Sequence, residues 1–132
     1  MWLIHLNRHG VSGRRADDLL GSGVYVAAPL LLERFGPDVA IALIGPAGEM
    51  GLKPAGIQNL DKDGMPSRMA ARGGLGAVMG SKGVKAIVID AHEVESPPAA
   101  DAGGLREARR RYHQAQFSPP RRRPIASTAQ RR

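Results

Sequence analysis

Residues 72–90 read Arg72-Gly73-Gly74-Leu75-Gly76-Ala77-Val78-Met79-Gly80-Ser81-Lys82-Gly83-Val84-Lys85-Ala86-Ile87-Val88-Ile89-Asp90. The segment changes character twice. Gly73, Gly74 and Gly76 permit a sharp bend whose amides approach a ligand or a neighbouring backbone closely. A short helix is expected over Ala77–Lys82, stopped by Gly83. The apolar run that follows, Val84–Asp90, predicts a strand.

Working outward, Val39–Ile44 is a second continuous apolar run, bounded by Pro37-Asp38 and Gly45-Pro46. It reads as a strand buried on both faces. Pro54–Leu60 and Trp2–Leu6 predict two more strands. Val24–Phe35 predicts a helix, with its first turn set at Pro29 and its end at Gly36-Pro37. Asn7–Arg15 reads as a polar loop, Gly45–Glu49 as a tight loop and Asp61–Gly64 as a turn. Residues 66–72 carry no strand signal. After Pro97-Pro98 the composition shifts to Ala, Gly, Arg and Pro, with an Arg-rich helix expected over Leu105–Gln116 and disorder from Ser118 onward.

The chain has 132 residues, and 42% of them are hydrophobic, enough for one core. It has no cysteine, which excludes disulfides, thiolate metal sites and an iron–sulfur cluster held by this chain's own sulfur. The net charge of +7 belongs to the end of the chain: residues 103–132 carry nine Arg against one acid, Glu107. The body is close to neutral, so the high pI does not mark it as a nucleic-acid binder. No apolar run reaches the roughly 20 residues that span a bilayer, and a cytoplasmic protein is the expectation.

Arg68, Arg72 and Lys82 flank the glycine bend, and a guanidinium suits phosphate. The expected helix would also aim amides back at the bend. A phosphate-binding Walker loop does not fit, because Gly80 is followed by Ser81 before Lys82; a dinucleotide fingerprint does not fit either, because Met79 stands where its last glycine belongs. The residues alone leave two readings open: a phosphate cradle, or a turn for close helix–strand packing. His5, His9, His92 and His113 lack ligand spacing. Asp61-Lys62-Asp63-Gly64 lacks the glutamate a calcium loop needs, Arg72 standing there instead. Ser22 and Ser81 lack a nucleophile context. Glu49 reads as a turn residue, since no partner is visible near it.

In order and spacing, Ile44–Glu49, Gly56–Lys62, the eleven-residue run Arg72–Lys82 and Lys85–Ile87 closely resemble the N-terminal domain of the aldehyde ferredoxin oxidoreductase family. The resemblance covers residues 16–93. It implies an α+β fold: a partial β-saddle-like N-terminal domain with short helices over residues 1–98, and a basic, disordered Arg/Pro-rich C-terminal tail over 99–132. It also implies a tungsten or molybdenum bis-molybdopterin cofactor, with magnesium bridging the pterin phosphates and the metal held by dithiolenes. Carried over, Arg68, Met69, Ala71 and Arg72 contact the pterin and its phosphate, Met69 through its backbone, and Gly73, Gly74 and Gly76 shape the loop. No residue of this chain is expected to be catalytic or to ligate the metal.

The family activity implied is oxidation of an aldehyde to a carboxylic acid, with electrons leaving through a 4Fe–4S cluster to ferredoxin or a similar carrier. Family members are several times longer, and their cluster cysteines and acid/base groups lie in later domains. This chain is therefore expected to be a fragment, inactive alone, corresponding to the second half of the cofactor domain, with the first half expected before Met1. A tail of this composition is also what out-of-frame translation of a GC-rich gene yields. The alternatives are a non-catalytic remnant or interaction module, and weak nucleic-acid binding through the arginines.

Overall fold

A computed structural model describes residues 1–95 and 97–117 of the chain. These fall into two compact units, Met1–Val94 and a second that starts at Glu95.

The first unit is built on a six-stranded mixed sheet. In chain order its elements are β1 (Trp2–Asn7), β2 (Gly10–Arg15), a 3-10 turn (Asp17–Leu19), α1 (Val24–Phe35), β3 (Ala40–Leu43), α2 (Pro46–Glu49), β4 (Ile57–Asn59), β5 (Arg68–Ala70), α3 (Leu75–Ser81) and β6 (Val84–Ile89). The sheet runs β2-β1-β6-β3-β4-β5. Only β1 and β6 pair in parallel; the other neighbours are antiparallel. This is an α+β fold, as the family resemblance implies.

Register explains the core. Leu43 lies opposite Ala86 and Ile41 opposite Val88, while Leu3 pairs with Ala86 across the parallel side. Alternation puts these five residues on one face. They form one buried cluster with Ala27, Ala28 and Leu31 of α1 and with Ala16 and Leu19. The opposite face is also apolar in part, with Trp2 and Ile89 about half exposed.

Four local expectations are corrected. Gly10–Arg15, expected as a polar loop, is β2. Its side chains are all exposed, so no hydrophobic alternation announces it. Backbone pairing along the whole of β1 holds it there, and the Arg15 guanidinium lies 5.4 Å from the Trp2 ring centroid. The first long helix starts at Val24 rather than at Pro29. The Gly23 carbonyl accepts from the amides of Val26 and Ala27, closing a turn before the proline. The tight loop after β3 is helix α2, with Pro46 at its first position and the Gly45 carbonyl accepting from Gly48 and Glu49. The lead-in to the glycines is strand β5, an edge strand paired to β4.

In the second unit, α4 spans Ala102–Phe117 and is exposed along its length. The Asp101 carboxylate caps it at the Gly104 amide, 2.9 Å away. The Arg-rich helix expected over Leu105–Gln116 is thus present, inside a tail expected to lack order. The expectation of disorder from Ser118 on lies outside the described residues.

Candidate functional site

The bend between β5 and α3 brings together most of the residues singled out in the sequence. Gly73 and Gly74 both take left-handed conformations, φ +82° and +65°. For Gly74 the glycine is required twice over, since a Cβ there would lie 2.3 Å from the Lys53 carbonyl oxygen. Gly76 is buried. Its amide donates to the Ala55 carbonyl at 2.9 Å, and a Cβ there would lie 2.4 Å from the Gly56 oxygen. One helical turn on, a Cβ at Gly80 would lie 1.9 Å from the Gly48 oxygen. The second half of the glycine segment therefore serves backbone-on-backbone packing against α2 and residues 53–56.

The first half does not. Gly73 is exposed with open space where a Cβ would stand. Residues 71–74 form a turn that aims the Gly74 amide back at Ala71, and among the described residues the amides of Arg72 and Gly73 donate to no protein acceptor. The two readings left open by the sequence are thus divided within one segment: packing from Gly74 to Gly80, and two amides, of Arg72 and Gly73, that are unspent among the described residues.

Arg68, Met69 and Ala70 form β5, and Ala71 and Arg72 continue from it; all are exposed. An edge strand keeps part of its backbone donors and acceptors outside the ladder. Arg72 makes no ion pair or side-chain hydrogen bond among the described residues, and neither does Lys53 in the turn before β4. Arg68 makes no ion pair either, but its charge reaches Asp61. Asp61 organises the β4–β5 connection. Its carboxylate accepts from the Ser67 hydroxyl at 2.6 Å and from the amides of Asp63 and Met65 at 2.9 and 3.0 Å. The Ser67 hydrogen bond first, then that from Met65, holds the Asp61 carboxyl below its ordinary pKa, with smaller contributions from Asp63 and Arg68.

The Met69 side chain lies over Gly56 and helps line an apolar cleft of about 450 Å³ with Val24, Tyr25, Pro46 and Gln58. Lys82, expected beside the bend, is instead at the far end of α3. Among the described residues no group of three or more His, Asp or Glu side chains is placed to hold a metal ion. No helix of the described residues is long and apolar enough to cross a membrane.

One arrangement escaped the sequence. Lys85 on β6 is wholly buried, and its ammonium donates to the Glu49 carboxylate and, at 3.0 Å, to the Ser22 carbonyl. The second Glu49 oxygen accepts from the Gly21 amide at 2.8 Å. The pair ties α2, β6 and the loop entering α1 to one another. A lysine inside an apolar strand was the available signal.

Comparison with known proteins bears on the same residues. The family model described as aldehyde ferredoxin oxidoreductase, N-terminal domain, matches residues 1–91. A tungsten-containing aldehyde ferredoxin oxidoreductase of Pyrococcus horikoshii is 42% identical over 91 residues, covering 68% of this chain and 14% of the relative. The protein of the same description from Pyrococcus furiosus is 39% identical over 99 residues, covering 74% and 15%. Among solved structures, the active-site complex BamBC of benzoyl coenzyme A reductase, in complex with 1,5-dienoyl-CoA, superposes with a TM-score of 0.59 at 35% identity. That match covers 67% of this chain and 13% of the other. The chain thus spans about one seventh of the length of these relatives.

Proposed function

The chain belongs to the aldehyde ferredoxin oxidoreductase family, and on that premise we propose that it holds the phosphate end of a tungsten- or molybdenum-bearing molybdopterin. The observation that carries this reading is the pair of amides at Arg72 and Gly73 that, among the described residues, no protein group satisfies, with Arg68 and Arg72 beside it making no ion pair among those residues. Unspent amides and guanidinium groups fit a phosphate; they are a poor place for a cation or an apolar group.

In this reading Arg68 and Arg72 neutralise the phosphate oxygens. Gly73 lets the backbone approach, and Met69 and Ala71 contribute main-chain groups of an edge strand and its extension. Gly74 and Gly76 act one step back, by seating the bend on residues 53–56. When bound, the cofactor would supply the redox chemistry, and Arg68, Arg72 and the amides of the bend would hold its phosphate end. This chain supplies binding and orientation. The complete reaction, aldehyde to carboxylic acid with electrons passing through a 4Fe–4S cluster to ferredoxin in the cytoplasm, needs parts that the matched one seventh of the relatives does not cover.

The test is cofactor retention. The chain is produced in a host that makes molybdopterin, supplied with tungstate or molybdate, and passed through gel filtration. Fluorescence of the oxidised pterin and metal analysis are read on the protein peak. Pterin is expected with the parent chain and reduced several-fold in Arg72→Gln. A parent chain that elutes with neither pterin nor metal would leave a non-catalytic remnant as the better description.

A second reading has one observation in its favour. On α4, Arg106 and Arg109 make no ion pair among the described residues, and His113 stacks on Phe117 with ring centroids 5.8 Å apart. Cations interleaved with aromatic rings suit single-stranded nucleic acid. Binding that disappears on deletion of residues 103–132 and weakens steeply with salt would support it.

A further inference from the structure

We infer that Lys53 is a third cationic arm of the anion site, a binding residue that nothing in its own stretch of sequence announces. The inference rests on the phosphate reading above and deepens it.

Lys53 is separated from Arg72 by nineteen positions in the chain, yet the fold seats its backbone on the bend. The Lys53 carbonyl abuts Gly74 so closely that any Cβ there would collide with it. Two residues on, the Ala55 carbonyl accepts from the Gly76 amide at 2.9 Å. Residues 53–56 therefore run alongside residues 74–76, tied by a hydrogen bond and by two glycines that admit nothing larger.

The Lys53 turn is itself braced. The Leu52 amide donates to Ala47 and the Ala55 amide to Leu52, each at 2.9 Å, and Pro54 restricts the backbone between them. The ammonium that this turn carries is exposed and engages no acid among the described residues.

The backbones of Lys53 and Arg72, from two separate segments, thus meet at one bend, where the Arg72 and Gly73 amides are also unspent among the described residues. Bringing like charges together costs energy, which a bound dianion recovers. The ligand this geometry fits is a phosphate monoester or pyrophosphate group. Lysine adds a mobile point charge where the arginines add fixed forks.

The experiment follows the Gly73 and Gly74 amide resonances of the full chain by two-dimensional NMR during titration with inorganic pyrophosphate. This site-resolved readout is insensitive to pyrophosphate held by the arginines near the C-terminus. Both amides are expected to shift saturably. In Lys53→Gln the apparent Kd at these amides rises about five- to tenfold, the loss of one exposed charge-assisted contact. In Lys53→Arg it stays within about twofold. Arg14→Gln on β2 removes the same net charge away from the bend and leaves the Kd unchanged. Equal Kd values for Lys53→Gln and the parent, or an equal loss in Arg14→Gln, overturn the assignment of Lys53. Amides that do not move in the parent chain overturn the phosphate reading itself, and Lys53 with it.

Discussion

Lys85 and Glu49 meet as an ion pair inside the protein, 36 residues apart in the chain, with the lysine fully buried and the glutamate side chain 13% exposed. The pair stands at the junction of three elements, because the lysine also holds Ser22 and the glutamate also holds Gly21. Removing one partner leaves a buried charge without compensation. Lys85→Met is expected to lower unfolding free energy by about 2–4 kcal/mol, somewhat less than a fully enclosed pair because Glu49 touches solvent. Lys85→Met combined with Glu49→Gln should recover part of that loss. Urea unfolding of the four members of the cycle measures the coupling. Strictly additive losses would show that the pair is not coupled.

That relationship marks where sequence reading stopped. The apolar runs Val39–Ile44 and Val84–Asp90 announced β3 and β6, because a continuous hydrophobic stretch has few other uses. Strand β2 was silent, since its six residues face solvent and are ordered by pairing with β1. Strand β5 was equally silent as a three-residue edge. The bend was legible as glycines and arginines. What it does was not, because which amides are spent depends on residues 53–56, and that contact is tertiary. Glu49 looked like a turn residue for the same reason: its partner arrives on a strand formed much later in the chain.

His5 lies in β1 with its Nε2 buried and without a hydrogen-bond partner among the described residues, its ring 4.7 Å from that of Phe35. An unsatisfied buried nitrogen costs stability, whereas an apolar ring of similar size does not. His5→Phe is expected to raise the unfolding free energy by about 1 kcal/mol. Denaturant unfolding at neutral pH checks it, and a destabilised variant would place an unseen partner on Nε2.

The Asp61 carboxyl is held below its ordinary value, mainly by the Ser67 hydroxyl and then by the Met65 amide. A depressed folded-state pKa means that the carboxylate's contribution is present above the unfolded value of 3.8 and is lost as pH falls through the lower folded value. The β4–β5 connection should therefore keep its turn at pH 5 and loosen only below pH 3.8. Carboxyl-detected NMR titration gives the Asp61 midpoint directly. Ser67→Ala should move that midpoint upward by removing the largest lowering contribution. An unmoved midpoint would show that the hydroxyl is not the cause.

Three glycines of one segment should respond differently to the same added methyl group. At Gly80 and Gly76 a Cβ would sit 1.9 and 2.4 Å from backbone oxygens of Gly48 and Gly56, and backbone cannot swing aside as a side chain can. Gly80→Ala and Gly76→Ala are expected to cost about 3 kcal/mol or more, at or beyond the upper end for overpacking. At Gly73 nothing lies within 4 Å, and the only cost is the left-handed backbone at φ +82°. Gly73→Ala should therefore cost about 1–2 kcal/mol and leave the fold intact. It should still weaken pyrophosphate binding, because the methyl group occupies the open side from which an anion reaches the amides. Thermal unfolding ranks the three variants, and pyrophosphate titration of Gly73→Ala separates stability from binding. A Gly73→Ala variant that binds as well as the parent chain would mean that the anion does not approach from that side.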